Sequence, residues 1–342
     1  MQYDALLLVS FGGPEKPEDV MPFLENVLRG KNVPRERMMV VADHYATFGG
    51  KSPINDQNRE LIAELRAELD EHGPKLPVYW GNRNWHPLLP HTLRQMKADG
   101  VKRVLAFATS AFSSYSGCRQ YRENIASARA AVGDGAPVID KLRVFFNHPG
   151  FIEAQVERVQ EAISALSAAR LARAAMVFTA HSIPTSMADG CGYFEQLQEA
   201  SRLVAERFGR ADHRLVFQSR SGPPTQPWLE PDILEYLREV KAAGEIQDVI
   251  VIPIGFVSDH LEVIYDLDTA ARAVCDDLGL NLIRVGTVGT HPRFVRMIRE
   301  LIVERMEESP VRAAVGILPA RPDVCPDDCC PAPQGPAGRR TA

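Results

Sequence analysis

Short, almost continuously apolar runs alternate along the chain with longer stretches in which apolar residues return every three or four positions. In the first half the runs are Asp4–Ser10, Val78–Gly81, Val104–Thr109 and Leu142–Phe146. In the second half they are Ala174–Ala180, Leu215–Ser219, Val249–Ile254 and Asn281–Val285. Runs this short, aliphatic and without alternation predict strands buried on both faces. Between them, Asn58–Glu71 sets Leu61, Ile62, Leu65 and Leu69 on one side, and Ile152–Ala168 is patterned likewise, as amphipathic helices require. Strands alternating with helices predict an α/β fold of two Rossmann-like, doubly wound domains, each built on a parallel four-stranded sheet. The pattern divides the chain into 1–147 and 148–308, with the join near Asn147–Gly150 and no residue-level repeat between the halves. In such folds ligands bind beyond the carboxyl ends of the strands, so a site in the cleft between the domains is expected.

The segment 309–342 is different in kind. From Pro319 to Ala342 it holds six prolines and three cysteines in 24 residues, which excludes a regular helix or central strand. It reads as a linker or a metal-clipped extension. A net charge of −5 argues against a nucleic-acid partner, although local arginines can still hold a small anion. The longest apolar run, Val249–Val257, contains Pro253 and Gly255 and falls far short of the roughly 18 residues of a membrane span. The opening residues, acidic at Asp4, do not have the pattern of a secretory signal. These features predict a cytoplasmic enzyme.

Candidate chemistry collects after the predicted strands. Ser10-Phe11-Gly12-Gly13-Pro14 is a glycine turn without a G-x-G-x-x-G, so it is not a dinucleotide fingerprint. His181 stands at the end of Ala174–Ala180, just before Ser182-Ile183-Pro184; it reads as a functional imidazole or as a core histidine bonded to a carbonyl. If a helix begins near Ser258, then Asp259, Glu262 and Asp266 share one face. Such a row is either a solvated face behind an N-cap or a path for a divalent metal, and the interleaved Leu261, Val263 and Ile264 favour the path.

Several motifs in order resemble the ferrochelatases. They are Phe178-Thr179-Ala180-His181-Ser182-Ile183-Pro184, then Gln218-Ser219-Arg220-Ser221-Gly222-Pro223-Pro224 with Trp228-Leu229-Glu230-Pro231, and Ser258-Asp259-His260-Leu261-Glu262. Leu6–Pro14, Phe48–Asn55 and Gly81–Trp85 agree as well, so the resemblance runs from residue 1 to about 308 and is most similar to the actinobacterial-type coproporphyrin ferrochelatases. It implies insertion of ferrous iron into a porphyrin, coproporphyrin III rather than protoporphyrin IX, with release of pyrrole protons. It also implies His181 and Glu262 as catalytic metal ligands, Asp266 as an outer acid on the metal path, and Arg29, Ser52 and Tyr121 as porphyrin contacts. The sequence departs from some relatives at Phe11, which cannot ligate iron, at His44, which stands where they carry an arginine, and at Ala270, which shortens the carboxylate row.

Six cysteines in a chain read as cytoplasmic do not suggest disulfides. Cys325, Cys329 and Cys330 cluster in the extension, and Cys118 matches the internal cysteine of relatives that carry a 2Fe–2S cluster. The resemblance therefore implies such a cluster on those four, with Cys191 and Cys275 read as ordinary small residues in helices. The expected partners are porphyrin and ferrous iron, with no nucleic acid and no membrane, in a monomer. A cobalt or sirohydrochlorin chelatase and a non-catalytic tetrapyrrole or metal carrier are the alternative readings.

Overall fold

The computed structural model describes residues 1–30, 33–223, 225–244 and 246–332. Pro224 of the second motif and residues 333–342 of the extension lie outside the described residues. One parallel sheet is formed by β1 (Ala5–Ser10), β2 (Val78–Asn82), β3 (Arg103–Ala108) and β4 (Val138–Lys141), in the order β2-β1-β3-β4. A second comprises β5 (Ala175–His181), β6 (Arg214–Gln218), β7 (Asp248–Ile252) and β8 (Asn281–Arg284), in the order β6-β5-β7-β8. The second order repeats the first strand for strand. Each sheet therefore reverses its winding between its first and third strands, the place where an open α/β sheet leaves a crevice. This is the α/β architecture expected from the alternating pattern.

The central strands β1 and β7 are buried along their whole length, as continuous apolar sequence requires. Helix Ile54–His72 covers the first sheet with Leu61, Leu65 and Leu69, spaced four apart and all buried; each is worth about 1.5–3 kcal/mol. Helix Pro292–Met306, late in the chain, packs against both Ile54–His72 and Pro149–Ile163. Its Arg299 Nε donates to Glu68 Oε1 at 2.7 Å. The largest apolar cluster accordingly takes in Leu65 and Phe107 from the first half and Phe178 and Phe294 from the second. One continuous core thus underlies both sheets.

One strand assignment is corrected. The fourth strand is Val138–Lys141, not Leu142–Phe146. Leu142, Val144, Phe145 and Phe146 are all buried, but as loop residues filling the core beyond the sheet. Their apolarity reports burial, whereas the true edge strand carries Asp140 and Lys141 because one of its sides is unpaired.

The described part of the extension has neither helix nor strand and lies against the body. Val315 N–H donates to Asn147 O at 2.9 Å, Asn147 Nδ2 donates to Leu318 O at 2.7 Å, and Ile317 N–H donates to Glu199 Oε1 at 2.6 Å. Gly316, at φ +87°, passes so close to Glu199 that a Cβ would fall 1.9 Å from its Oε1. Only glycine fits that crossing.

Candidate active site

His181 is the last residue of β5, one position earlier than a loop residue would be. Its backbone is fixed from several sides. Tyr193 Oη donates to His181 O at 3.0 Å, Ser182 N–H donates to Gln218 O at 2.8 Å, and Ser182 Oγ donates to Leu229 O at 2.8 Å. Leu229 N–H donates in return to Ile183 O at 3.0 Å, so the His-Ser-Ile-Pro and Trp-Leu-Glu-Pro segments are stitched together. The His181 Nδ1 lies 2.5 Å from Ser182 O. A carbonyl can only accept, so Nδ1 carries the hydrogen, and in the neutral ring Nε2 is the nitrogen with the lone pair. That Nε2 faces Glu262 Oε2 at 3.8 Å.

Glu262 reaches this position through the segment that follows β7. Gly255 N–H donates to Thr179 O at 3.0 Å, and a Cβ on Gly255 would meet Ala180 Cα at 2.7 Å. The glycine lets the chain cross tightly over the end of β5, at the switch point of the second sheet. The helix then begins at Leu261, not near Ser258, and passes into a π-helical stretch over Ile264–Ala271. π-Helical turns of this kind often mark functional positions.

The expected row of three carboxylates is corrected by this geometry. Asp259 precedes the helix and turns away: Arg284 Nη1 donates to it at 2.5 Å, and Thr287 Oγ1 at 3.0 Å. Glu262 and Asp266 remain. Asp266 Oδ2 accepts from Gln218 Nε2 at 3.2 Å and from Ser219 Oγ. Burial pushes the Asp266 carboxyl up to about 6, with Glu262 adding to the rise and the Ser219 hydroxyl opposing it. Ser219 holds φ +62°, a conformation unusual for a residue with a Cβ, and that backbone aims its hydroxyl at Asp266.

The opposite wall belongs to the first half. Phe23, Tyr45 and Leu24 form an apolar cluster with Leu261, beside Phe11 and Trp85. Burial, then the Glu262 charge, raises the Tyr45 phenol well above the usual range. The His44 ring stacks on Tyr265 with centroids 3.7 Å apart. Ser52 is buried against Gly13, where a Cβ would lie 2.8 Å from its own. Tyr121 is buried with the Arg83 guanidinium 4.6 Å from its ring centre. Arg29 is exposed just beyond helix Pro17–Val27. Among the described residues, no three His, Cys, Asp or Glu side chains converge at metal-ligand spacing.

Comparison with known proteins settles the family. The profile described as Ferrochelatase matches residues 3–306. The chain is 58% identical over 328 residues to the ferrochelatase of Rhodopirellula baltica, covering 96% of this chain and 93% of that one. It is 53% identical over 355 residues to the coproporphyrin III ferrochelatase of Streptomyces coelicolor, covering 96% and 94%. The chain belongs to the ferrochelatase family. Among solved structures, SirB from Bacillus subtilis with Fe3+ matches with a TM-score of 0.55 at 10% identity, over 90% of this chain and 98% of that one. That likeness concerns the fold alone. No helix among the described residues is long and apolar enough to cross a membrane.

The ferrochelatase-type site contains residues that sequence reasoning missed. Gln57 Nε2 donates to Asp259 O at 3.1 Å, while Asp259 N–H donates to Gln57 Oε1 at 2.9 Å. Tyr265 and Arg284 are likewise visible only through their contacts, and Ser219, already part of the Gln218–Pro224 motif, gains its role from the contact with Asp266.

Two of the cysteines lie close together. Cys329 and Cys330 Sγ atoms are 3.5 Å apart, and all six cysteines are free. Cys118 lies on a π-helical turn, Tyr115–Arg119, whose Ser114 Oγ caps the Gly117 N–H at 2.9 Å. A hydrogen bond from Cys325 pulls the Cys118 thiol well below the usual thiol range, helped by the Lys141 and Arg122 charges and opposed by burial. Cys191 is not in a helix as expected; it sits at a bend just before helix Tyr193–Glu206, and burial raises its thiol. Cys275 is a buried helical residue.

Proposed function

We propose that this ferrochelatase-family chain inserts ferrous iron into a porphyrin, coproporphyrin III by preference, in haem biosynthesis. The observation that carries this reading is the lone pair of His181 Nε2 facing Glu262 Oε2 at 3.8 Å, at the carboxyl end of β5. A free porphyrin is planar and carries pyrrole protons, so bending must expose its nitrogen lone pairs before a metal can enter. His181 Nε2 is free to take up one such proton or to hold the incoming cation, and Glu262 supplies the exchangeable carboxylate. Charge balance requires both pyrrole protons to leave as the iron dication enters. Asp266, more buried than Glu262 and with its own carboxyl raised by that burial, is assigned as the outer acid of the metal path. The apolar wall of Phe23, Tyr45 and Leu261 suits a flat macrocycle, and Arg29, Ser52 and Tyr121 are assigned to its periphery. An arginine can meet a propionate through two hydrogen bonds. The cleft is assigned to the boundary between units 1–147 and 148–308, in a cytoplasmic monomer.

The 2Fe–2S cluster belongs to the same reading. Four free thiols, a Cys118 thiolate favoured by its surroundings, and cations at Arg122, Lys141 and Arg321 match the donor chemistry of such a cluster. Cys118, Cys325, Cys329 and Cys330 would hold it, and it would supply a redox-sensitive clip between the extension and the body.

Replacing His181 by alanine tests the central claim. Insertion, followed anaerobically as loss of free-porphyrin fluorescence, is expected to cease while porphyrin still binds. Normal turnover by His181→Ala overturns the mechanism. Stoichiometric binding without turnover by the native chain would make it a carrier, and preference for cobalt and sirohydrochlorin would make it the alternative chelatase.

A further inference from the structure

A cavity of about 260 Å³ opens between the extension and the first half, lined at one end by Cys118 and Cys325. It is smaller than the pockets that hold drug-sized molecules and far larger than one water requires. Its charge is uneven. The carboxylates that line it are already matched by arginines: Asp140 accepts from Arg103 at 2.8 Å, Asp323 from Arg312 at 2.7 Å, and Asp327 from Arg122 at 3.4 Å. Arg143, also in the lining, is spent on a bidentate pair with Glu304 at 2.6 and 3.0 Å. Four lining cations are left over. Among the described residues, Arg129 donates to Pro137 O and Lys141 to Leu142 O, with Lys141 also reaching the Cys118 thiol and neither cation held by a carboxylate. Arg305 lies 3.8 Å from Asp323, which Arg312 already holds, and its buried Nε has no acceptor among the described residues. Among the described residues, Arg321 reaches the Cys329 thiol at 4.0 Å, and its buried Nε has no acceptor there either.

Buried guanidinium nitrogens without acceptors are costly unless something supplies them. We propose that this cavity binds a small multivalent oxyanion, of the polycarboxylate or phosphate class, held by Arg305 and Arg321. A cluster on the four cysteines would be a dianion matched by the cations beside Cys118, Lys141 and Arg122; the Nε atoms of Arg305 and Arg321 would still lack an acceptor. Because Arg305 belongs to helix Pro292–Met306 and Arg321 to the extension, the anion bridges the two and holds the cysteine-bearing segment against the body.

The test is calorimetric titration of the purified full chain with citrate and with inorganic phosphate, at fixed ionic strength, with chloride as the monovalent control. Saturable binding of citrate or phosphate, weakened at least ~10-fold in Arg305→Met and in Arg321→Met and largely kept in Arg321→Lys, is the expected result. The comparison between the two anions tells which class fits. Absence of saturable heat with both anions in the native chain overturns the proposal without reference to any variant. Binding that emerges only in Cys118→Ser overturns it too, because the cavity would then be room belonging to the cluster. Equal affinity in folded Arg305→Met and Arg321→Met, with circular dichroism unchanged, would place the anion elsewhere.

Discussion

Replacing Gln57 by leucine should slow iron insertion although Gln57 belongs to neither the metal path nor the porphyrin contacts. Gln57 lies near the start of helix Ile54–His72, in the first half, and clasps both backbone groups of Asp259, in the second. Asp259 stands three residues before Glu262, and its side chain is pinned from behind by Arg284 and Thr287. Gln57 therefore fixes the front of the segment that carries Glu262. Leucine keeps the bulk and deletes both hydrogen bonds, at about 1 kcal/mol each, with more lost if the stranded Asp259 groups stay dry. The rear anchors absorb part of that loss, so ~1.4–2.3 kcal/mol should reach the transition state, a fall of about 10–50-fold in kcat/KM. The fall should sit mainly in kcat, because a displaced Glu262 impairs delivery of iron more than docking of the ring. The melting temperature should drop by only about 2–4 °C per kcal/mol lost. Anaerobic turnover with coproporphyrin III and ferrous iron, kcat and KM measured separately, is the assay. A folded Gln57→Leu chain with kcat/KM within a factor of about two of the native value would refute the positioning role.

His148 gives a pH signature. It is buried, its Nδ1 accepts from Gly150 N–H at 3.1 Å, and burial, then the Arg143 and Arg293 charges, push it down to about 3. The unfolded chain thus binds a proton there below about pH 6.5 that the folded chain refuses, so stability is full above that pH and falls toward pH 3. Between about pH 7.5 and 5 the site should cost ~2 kcal/mol, and His148→Asn, which keeps a capping side chain, should remove that share; an unchanged difference in urea midpoint would count against it. For the cluster, anaerobically purified protein should show visible charge-transfer absorption that Cys118→Ser abolishes and Cys191→Ser leaves intact. A colourless native chain rejects the cluster, and loss of colour in Cys191→Ser reassigns its ligands.

The fold was legible because buried parallel strands write themselves as unbroken aliphatic runs. Ala5–Ser10 and Asp248–Ile252 sit where that rule puts them, within a residue or two. The rule failed at Leu142–Phe146 because burial is what apolar sequence encodes, and a loop threaded through the core is as dry as a strand. It failed again at Ser258. The row Asp259, Glu262 and Asp266 assumed one uninterrupted α-helix, whereas the helix starts at Leu261 and changes its winding at Ile264. Spacing identifies a shared face only while the hydrogen-bond pattern stays constant.

What could not be read was the support around the site. His181 and Glu262 announce themselves by residue type, but Gln57 is one glutamine on an amphipathic helix, and its meaning lies in a contact with a residue 202 positions away. Ser219 is similar: its hydroxyl matters because a positive φ turns it onto Asp266, and no serine carries its own dihedral angle in its name. Arg284 looks like a strand end, yet it is the partner that holds the Asp259 carboxylate. Each depends on the closeness of two separately coded elements, and that closeness follows from the shared core beneath the sheets. Leu65, Phe107, Phe178 and Phe294 join the two halves in one core, which brings Gln57 to Asp259, three residues before the Glu262 that faces His181 at 3.8 Å. Chemistry at this site is therefore written locally, whereas its precision is written in the core.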